Sequence, residues 1–110
     1  MELNIPERIA LLQILPAEGS MITLRVIREL QNKLSFTADE LKAYKIENHP
    51  VSDGGAMITW DTNFTATTKD IELNEAEVGI ISNQLRRLES MGRLHMSMFS
   101  IYERFVEGKK

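Results

Sequence analysis

The chain has 110 residues, 43% of them hydrophobic and 26% charged, with a formal net charge of −3 and no cysteine. Length and composition are those of one globular domain over residues 1–110. The missing thiols exclude disulfides, thiolate nucleophiles and Cys-based zinc sites, and the acidic balance argues against non-specific nucleic-acid or membrane-surface binding, which needs excess Lys and Arg.

No apolar run approaches the roughly 18–20 residues that cross a bilayer. Met1-Glu2-Leu3-Asn4 has no basic segment ahead of an apolar stretch, so no signal peptide is expected and the cytoplasm is the expected location.

The first helix is expected to begin near Pro6, whose fixed φ suits the first helical position. Ile9, Leu11, Leu12 and Leu15 supply its apolar stripe, Pro16 ends it, and Glu18-Gly19 turns the chain. A second helix is predicted from about Met21 to Leu34, with Leu24, Ile27, Leu30 and Leu34 on one face.

Phe36-Thr37-Ala38-Asp39-Glu40-Leu41 then reads as a capping box inside a hydrophobic staple. The threonine accepts an orphan amide, the glutamate reaches back to the cap, and the flanking apolar pair closes over both. The short helix it opens should end by about Ala43.

From Tyr44 the period becomes two. Tyr44 and Ile46 alternate with Lys45 and Glu47, His49-Pro50 interrupts, and Ser52-Asp53-Gly54-Gly55 makes a turn. Ala56, Ile58 and Trp60 share a strand face, Asp61 to Thr68 is a polar, threonine-rich loop, and Ile71 and Leu73 alternate again. Three short strands in one antiparallel sheet are therefore predicted.

Leu73-Asn74-Glu75-Ala76-Glu77-Val78 repeats the capping-box grammar and opens a long helix with Val78, Ile81, Leu85 and Leu88 as its core stripe. Gly92 suits the left-handed position after a helix. Leu94, Met98, Ile101, Tyr102 and Phe105 form the apolar face of a last helix, packed on its predecessor as a hairpin, and Gly108-Lys109-Lys110 is a frayed end. The fold class is α+β: two N-terminal helices and a short third, a small three-stranded antiparallel sheet, and a C-terminal helical hairpin.

Catalytic groupings do not emerge. Asp39, Glu40, Glu75 and Glu77 are explained by helix starts, where carboxylates serve the cap and the dipole. Asp61 and Asp70 flank a solvated loop. His49 and His95 share no metal-ligand spacing, and His95 is placed to cap the last helix. Neither a G-x-S-x-G elbow nor a phosphate-binding glycine frame is present. No enzyme activity, cofactor or metal is expected.

Contact residues are the remaining candidates. Met91, Met96 and Met98 cluster around the last turn, where methionine fills gaps or adapts to a partner. Trp60 is read first as a core anchor beneath the helix that follows Asn74, and alternatively as an exposed contact hot spot. Phe64 is the one large apolar residue in the threonine-rich loop. For nucleic acid, Arg25, Arg28, Gln31, Asn32 and Lys33 on the second helix suit a recognition helix, but Glu47, Asp53, Asp61 and Asp70 are acidic where a wing would be basic.

The order Ile5-Pro6-Glu7-Arg8-Ile9-Ala10-Leu11, Leu15-Pro16-Ala17-Glu18-Gly19, Leu34 to Leu41, Trp60-Asp61, Lys69 to Leu73, Leu88 to Leu94 and Ile101-Tyr102-Glu103-Arg104-Phe105 resembles a group of small phage- and prophage-encoded proteins. The resemblance spans nearly the whole chain. Where similar chains place a threonine cap after the glycine-basic-leucine turn, this one has His95. The resemblance transfers no activity and no site residue. It implies a small viral accessory or host-interaction protein.

The leading expectation is a non-enzymatic phage-type accessory protein. It would bind a protein partner or its own copies through Trp60, Phe64, Met91, Met96 and Met98. A helix–turn–helix or winged-helix-like DNA binder is the alternative, and a protein that sequesters a small ligand is the third reading.

Overall fold

The computed structural model describes residues 1–50 and 56–108. Its elements are β1 (Glu2–Asn4), α1 (Ile5–Ile14), α2 (Met21–Leu34), α3 (Ala38–Ala43), β2 (Glu47–Pro50), β3 (Ala56–Thr59), β4 (Thr68–Asp70), α4 (Glu75–Ser90) and α5 (Phe99–Phe105), with 3-10 turns at Thr62–Phe64 and Met96–Met98. The chain is mixed helix and sheet and divides into two compact units, Met1–Ser35 with Thr68–Lys110, and Phe36–Thr67.

The sheet departs from expectation. Two antiparallel two-stranded sheets replace the single three-stranded one: β1 pairs with β4, and β2 with β3. β1 escapes a sequence reading because it has only three residues and finds its partner, Leu3 opposite Lys69, far along the chain. β4 lies three residues before the Ile71–Leu73 alternation, because the register with β1 places Glu2 against Asp70. Ile71 still prolongs the pairing, its amide donating to the Met1 carbonyl at 2.8 Å.

In the first unit α1 is the central element, buried along most of its circumference and packed on α2, α4 and α5. It starts at Ile5, and its cap is a third capping box: the Glu7 amide donates to Asn4 Oδ1 at 2.9 Å and the Asn4 amide to Glu7 Oε1 at 3.1 Å. Leu3, Leu11, Ile14, Leu30, Leu34, Ile71, Ile81, Leu85, Ile101 and Phe105 form the core, each large side chain contributing about 1.5–3 kcal/mol when fully buried.

Arg8 is buried with them. Its Nε and Nη2 donate to the carbonyls of Leu34 and Ser35, at 3.2 and 2.8 Å, and so satisfy two acceptors orphaned where α2 ends.

α4 begins as predicted, with Asn74 and Glu77 exchanging capping bonds of 2.9 Å. It ends as predicted too: Gly92 has φ 65°, and the amides of Gly92 and Arg93 turn back to the carbonyls of Glu89 and Leu88. The last helix is shorter than the Leu94–Phe105 stripe suggested. His95 Nδ1 accepts the Ser97 amide at 3.2 Å, a tight 3-10 turn follows, and regular helix starts only at Phe99. α5 still packs against α4, with the Ser82 hydroxyl donating to the Phe105 carbonyl at 3.0 Å.

In the second unit the Thr37–Glu40 capping box opens α3, with bonds of 2.9 and 3.1 Å. Tyr44 and Ile46 are not strand, because Lys45 takes the left-handed conformation (φ 53°) and the Ile46 amide closes back on the Leu41 carbonyl. β2 therefore starts at Glu47 and contains His49-Pro50, with Pro50 at the strand's last position. The predicted turn at Ser52-Asp53-Gly54-Gly55 lies outside the described residues, as do Lys109 and Lys110 of the predicted frayed end.

Candidate functional site

α5 is apolar on two faces. Met98, Ile101 and Phe105 point into the core. On the outer side Met96 is 78% exposed and Phe99 59% exposed, and with Leu94 and Tyr102 they line a groove of about 310 Å³ rimmed by His95, Glu103 and Glu107. Spacings of three and four explain the outer face: Met96, Phe99 and then Tyr102 and Glu103 fall on one side of the helical turns. A helix that is apolar on opposite sides normally has both sides covered.

The element is held rigidly from beneath. Glu7 is 6% exposed and accepts from the Ser100 hydroxyl at 2.7 Å and from Arg104 Nη1 at 2.9 and 3.0 Å. Arg104 Nη2 also reaches the Glu2 carbonyl at 2.7 Å. Burial pushes the Glu7 carboxyl up. The Asn4 amide, Ser100 and the Arg104 guanidinium outweigh that and hold it below its ordinary value.

The predicted methionines part company here. Met96 lines the groove, Met98 packs on the core, and Met91 lies in a separate hollow with Pro16, Leu88 and Arg93. Phe99 and Tyr102, which line the groove with Met96, were not among the predicted contact residues, although the stripe the three make is legible in the sequence.

Trp60 and Phe64 belong to the second unit. Trp60 is half-buried and outside the buried core, so the core-anchor expectation fails. The β3 strand ends before it, and its indole N–H donates to Thr65 Oγ1 at 2.9 Å. Phe64 packs at a tilt on Tyr44, with ring centroids 5.1 Å apart.

On α2, Arg25, Arg28, Gln31 and Asn32 are exposed, and Glu29 sits in the same shallow hollow as Arg25, Arg28 and Asn32. Lys33 is withdrawn from that face, its ammonium 2.7 Å from Glu77 Oε1. The carboxylate it meets is fully buried, and Glu77 Oε2 has no hydrogen-bond partner.

His49 Nε2 lies 2.9 Å from Thr59 Oγ1 and 3.4 Å from the Glu47 carboxylate, on an exposed strand pair. Among the described residues no three His, Asp or Glu side chains gather as a metal site, and no helix is long and apolar enough to cross a membrane. No protein-family model, curated protein or solved structure matches the chain.

Proposed function

We propose that the protein is a small phage-type accessory protein of the host cytoplasm that works by binding a protein surface and not by catalysis. The observation that supports this reading is the outer face of α5, where a large aromatic and a methionine stand in solvent beside an apolar groove on a helix anchored from below. Methionine and aromatic side chains of this kind adapt to and anchor protein contacts. The phage character rests on the sequence resemblance alone.

Recognition of DNA by α2 is less well supported, because Lys33 is committed to Glu77 and Glu29 interrupts the basic hollow. Sequestration of a small ligand draws on the same groove and is tested by thermal shift against a ligand set.

The binding reading is tested by comparing the wild type with Phe99→Asp as bait in a bacterial extract, together with the solution mass of each. Phe99 is largely exposed, so the variant should fold with a stability change within about 0.5 kcal/mol. A partner, or a second copy, held by the wild type and released by Phe99→Asp is the expected result. A folded wild type that stays a partnerless monomer refutes the reading.

A further inference from the structure

The groove on α5 is apolar at one end and acidic at the other. Met96 and Phe99 stand exposed at its start, and Glu103 and Glu107 close its far end. Glu103 follows Phe99 by one helical turn, about 6 Å along the axis. The third titratable residue of the lining, His95, adds no charge in this arrangement, because its Nδ1 accepts the Ser97 amide and a doubly protonated ring has no acceptor. Two arginines close in sequence point elsewhere. Arg104 turns inward to Glu7 and the Glu2 carbonyl, and Arg93 lines the separate hollow with Pro16, Glu18 and Met91. Among the described residues, then, the charge that lines the groove is carboxylate.

An occupant must match both ends. Apolar side chains belong over Met96, Phe99 and Tyr102. Ammonium or guanidinium groups belong opposite Glu103 and Glu107, where an acidic group would be repelled. An amphipathic helix with Lys or Arg one turn from an apolar anchor carries this spacing on a single face. The groove, about 310 Å³, has the volume of the smallest ligand clefts, so it takes anchor side chains while the rest of the helix lies on exposed Met96 and Phe99. A second copy of the same lining has no cation to offer the carboxylates.

We propose that the occupant of the groove is a basic amphipathic helical segment of a partner protein, its apolar anchor seated among Met96, Phe99 and Tyr102 and its Lys or Arg facing Glu103 and Glu107. This rests on the binding reading above and names the chemistry of the partner. Exposed charge pairs add little each, so the anchor carries most of the affinity, with a Kd on the order of 10–100 μM.

Fluorescence anisotropy on the whole chain tests this with three labelled peptides of about 14 residues, or four helical turns. One is an amphipathic Leu/Lys helix, one is the same pattern in Leu/Glu, and one is the Leu/Lys composition scrambled so that no apolar face forms. The amphipathic Leu/Lys peptide should bind at least tenfold tighter than either control and weaken several-fold between about 0.05 and 0.5 M salt. Phe99→Ser, which leaves the charges in place, should weaken it at least tenfold with an unchanged helical circular-dichroism signal. Glu107→Lys should weaken it about five- to tenfold. Glu29→Lys, the same change of net charge at an exposed position of α2, should change it less than twofold.

Equal binding of the acidic or the scrambled peptide overturns the proposal, as does no binding below about 1 mM. So does a basic peptide indifferent to Phe99→Ser or Glu107→Lys, or one weakened as much by Glu29→Lys, which is attraction to net charge alone. A wild-type dimer in sedimentation velocity that Phe99→Ser dissolves puts a second copy in the groove and also overturns it. If the basic peptide fails while a protein from extract is still captured in a Phe99-dependent way, the charge assignment falls and the binding reading stands.

Discussion

Glu7→Gln is the most informative single change, because one carboxylate both caps α1 and fastens the helix that carries the groove. The glutamine keeps the shape and can still accept from the Asn4 amide, but it removes the charge that faces Arg104 and offers a donor where Ser100 and Arg104 also donate. Hydrogen bonds to charged groups are worth about 1.5–3 kcal/mol, and Arg104 is left largely covered without its counter-charge, so a loss of about 2–3 kcal/mol is expected.

With a urea slope of about 1.5 kcal/mol per molar for a chain of this size, the unfolding midpoint followed by circular dichroism should fall by about 1.3–2 M. The pH dependence is a second readout. The Glu7 carboxyl is held below 4.5, so its stabilisation is complete above pH 4.5 and fades as pH falls from there through the folded-state value. Wild-type and variant stabilities should therefore converge in that acid range and stay apart above it. A midpoint shift below about 0.3 M, or two curves that run parallel through the acid range, refutes this account of Glu7.

Lys33→Met should cost about 2–3 kcal/mol in urea unfolding, since it strips the counter-charge from a carboxylate buried to 0% exposure, whereas Lys42→Met on exposed α3 should change stability by less than about 0.5 kcal/mol. Lys45→Gly should raise the melting stability of the wild type by about 1 kcal/mol, the strain of holding a side chain at φ 53°; a decrease would contradict the left-handed cap. Duplex DNA should show no mobility shift with the protein at about 50 mM salt, and a shift abolished by Arg25→Glu/Arg28→Glu would move the reading to the α2 surface.

Local grammar carried much of the architecture. The Thr37–Glu40 and Asn74–Glu77 boxes started α3 and α4 where expected, and Gly92 ended α4, because these signals act within one or two helical turns and need no distant partner. The same grammar at Asn4–Glu7 passed unread, since Pro6 alone drew attention to that helix start. Tyr44-Lys45-Ile46 misled for the opposite reason. Its alternation is real, yet backbone closure at the end of α3 outcompetes strand pairing there.

The candidate site was half legible. Met96 was named, but Met98 of the same cluster turns inward and Phe99 outward, a division set by which side of α5 meets α1 and α4. Trp60 looked like a core residue from its apolar neighbours Ile58 and Ala56, but its fate depends on where β3 stops and on Thr65 taking its indole proton.

Composition, periodicity and capping determined by themselves where α3 and α4 start and that the fold mixes helix and sheet, because each depends on neighbours close in sequence. Strand partners, the burial of Glu7, Arg8 and Glu77, and the exposed apolar face of α5 were decided only in three dimensions. Pairing Leu3 with Lys69, or Glu7 with Arg104, turns on contacts between residues that no local pattern links.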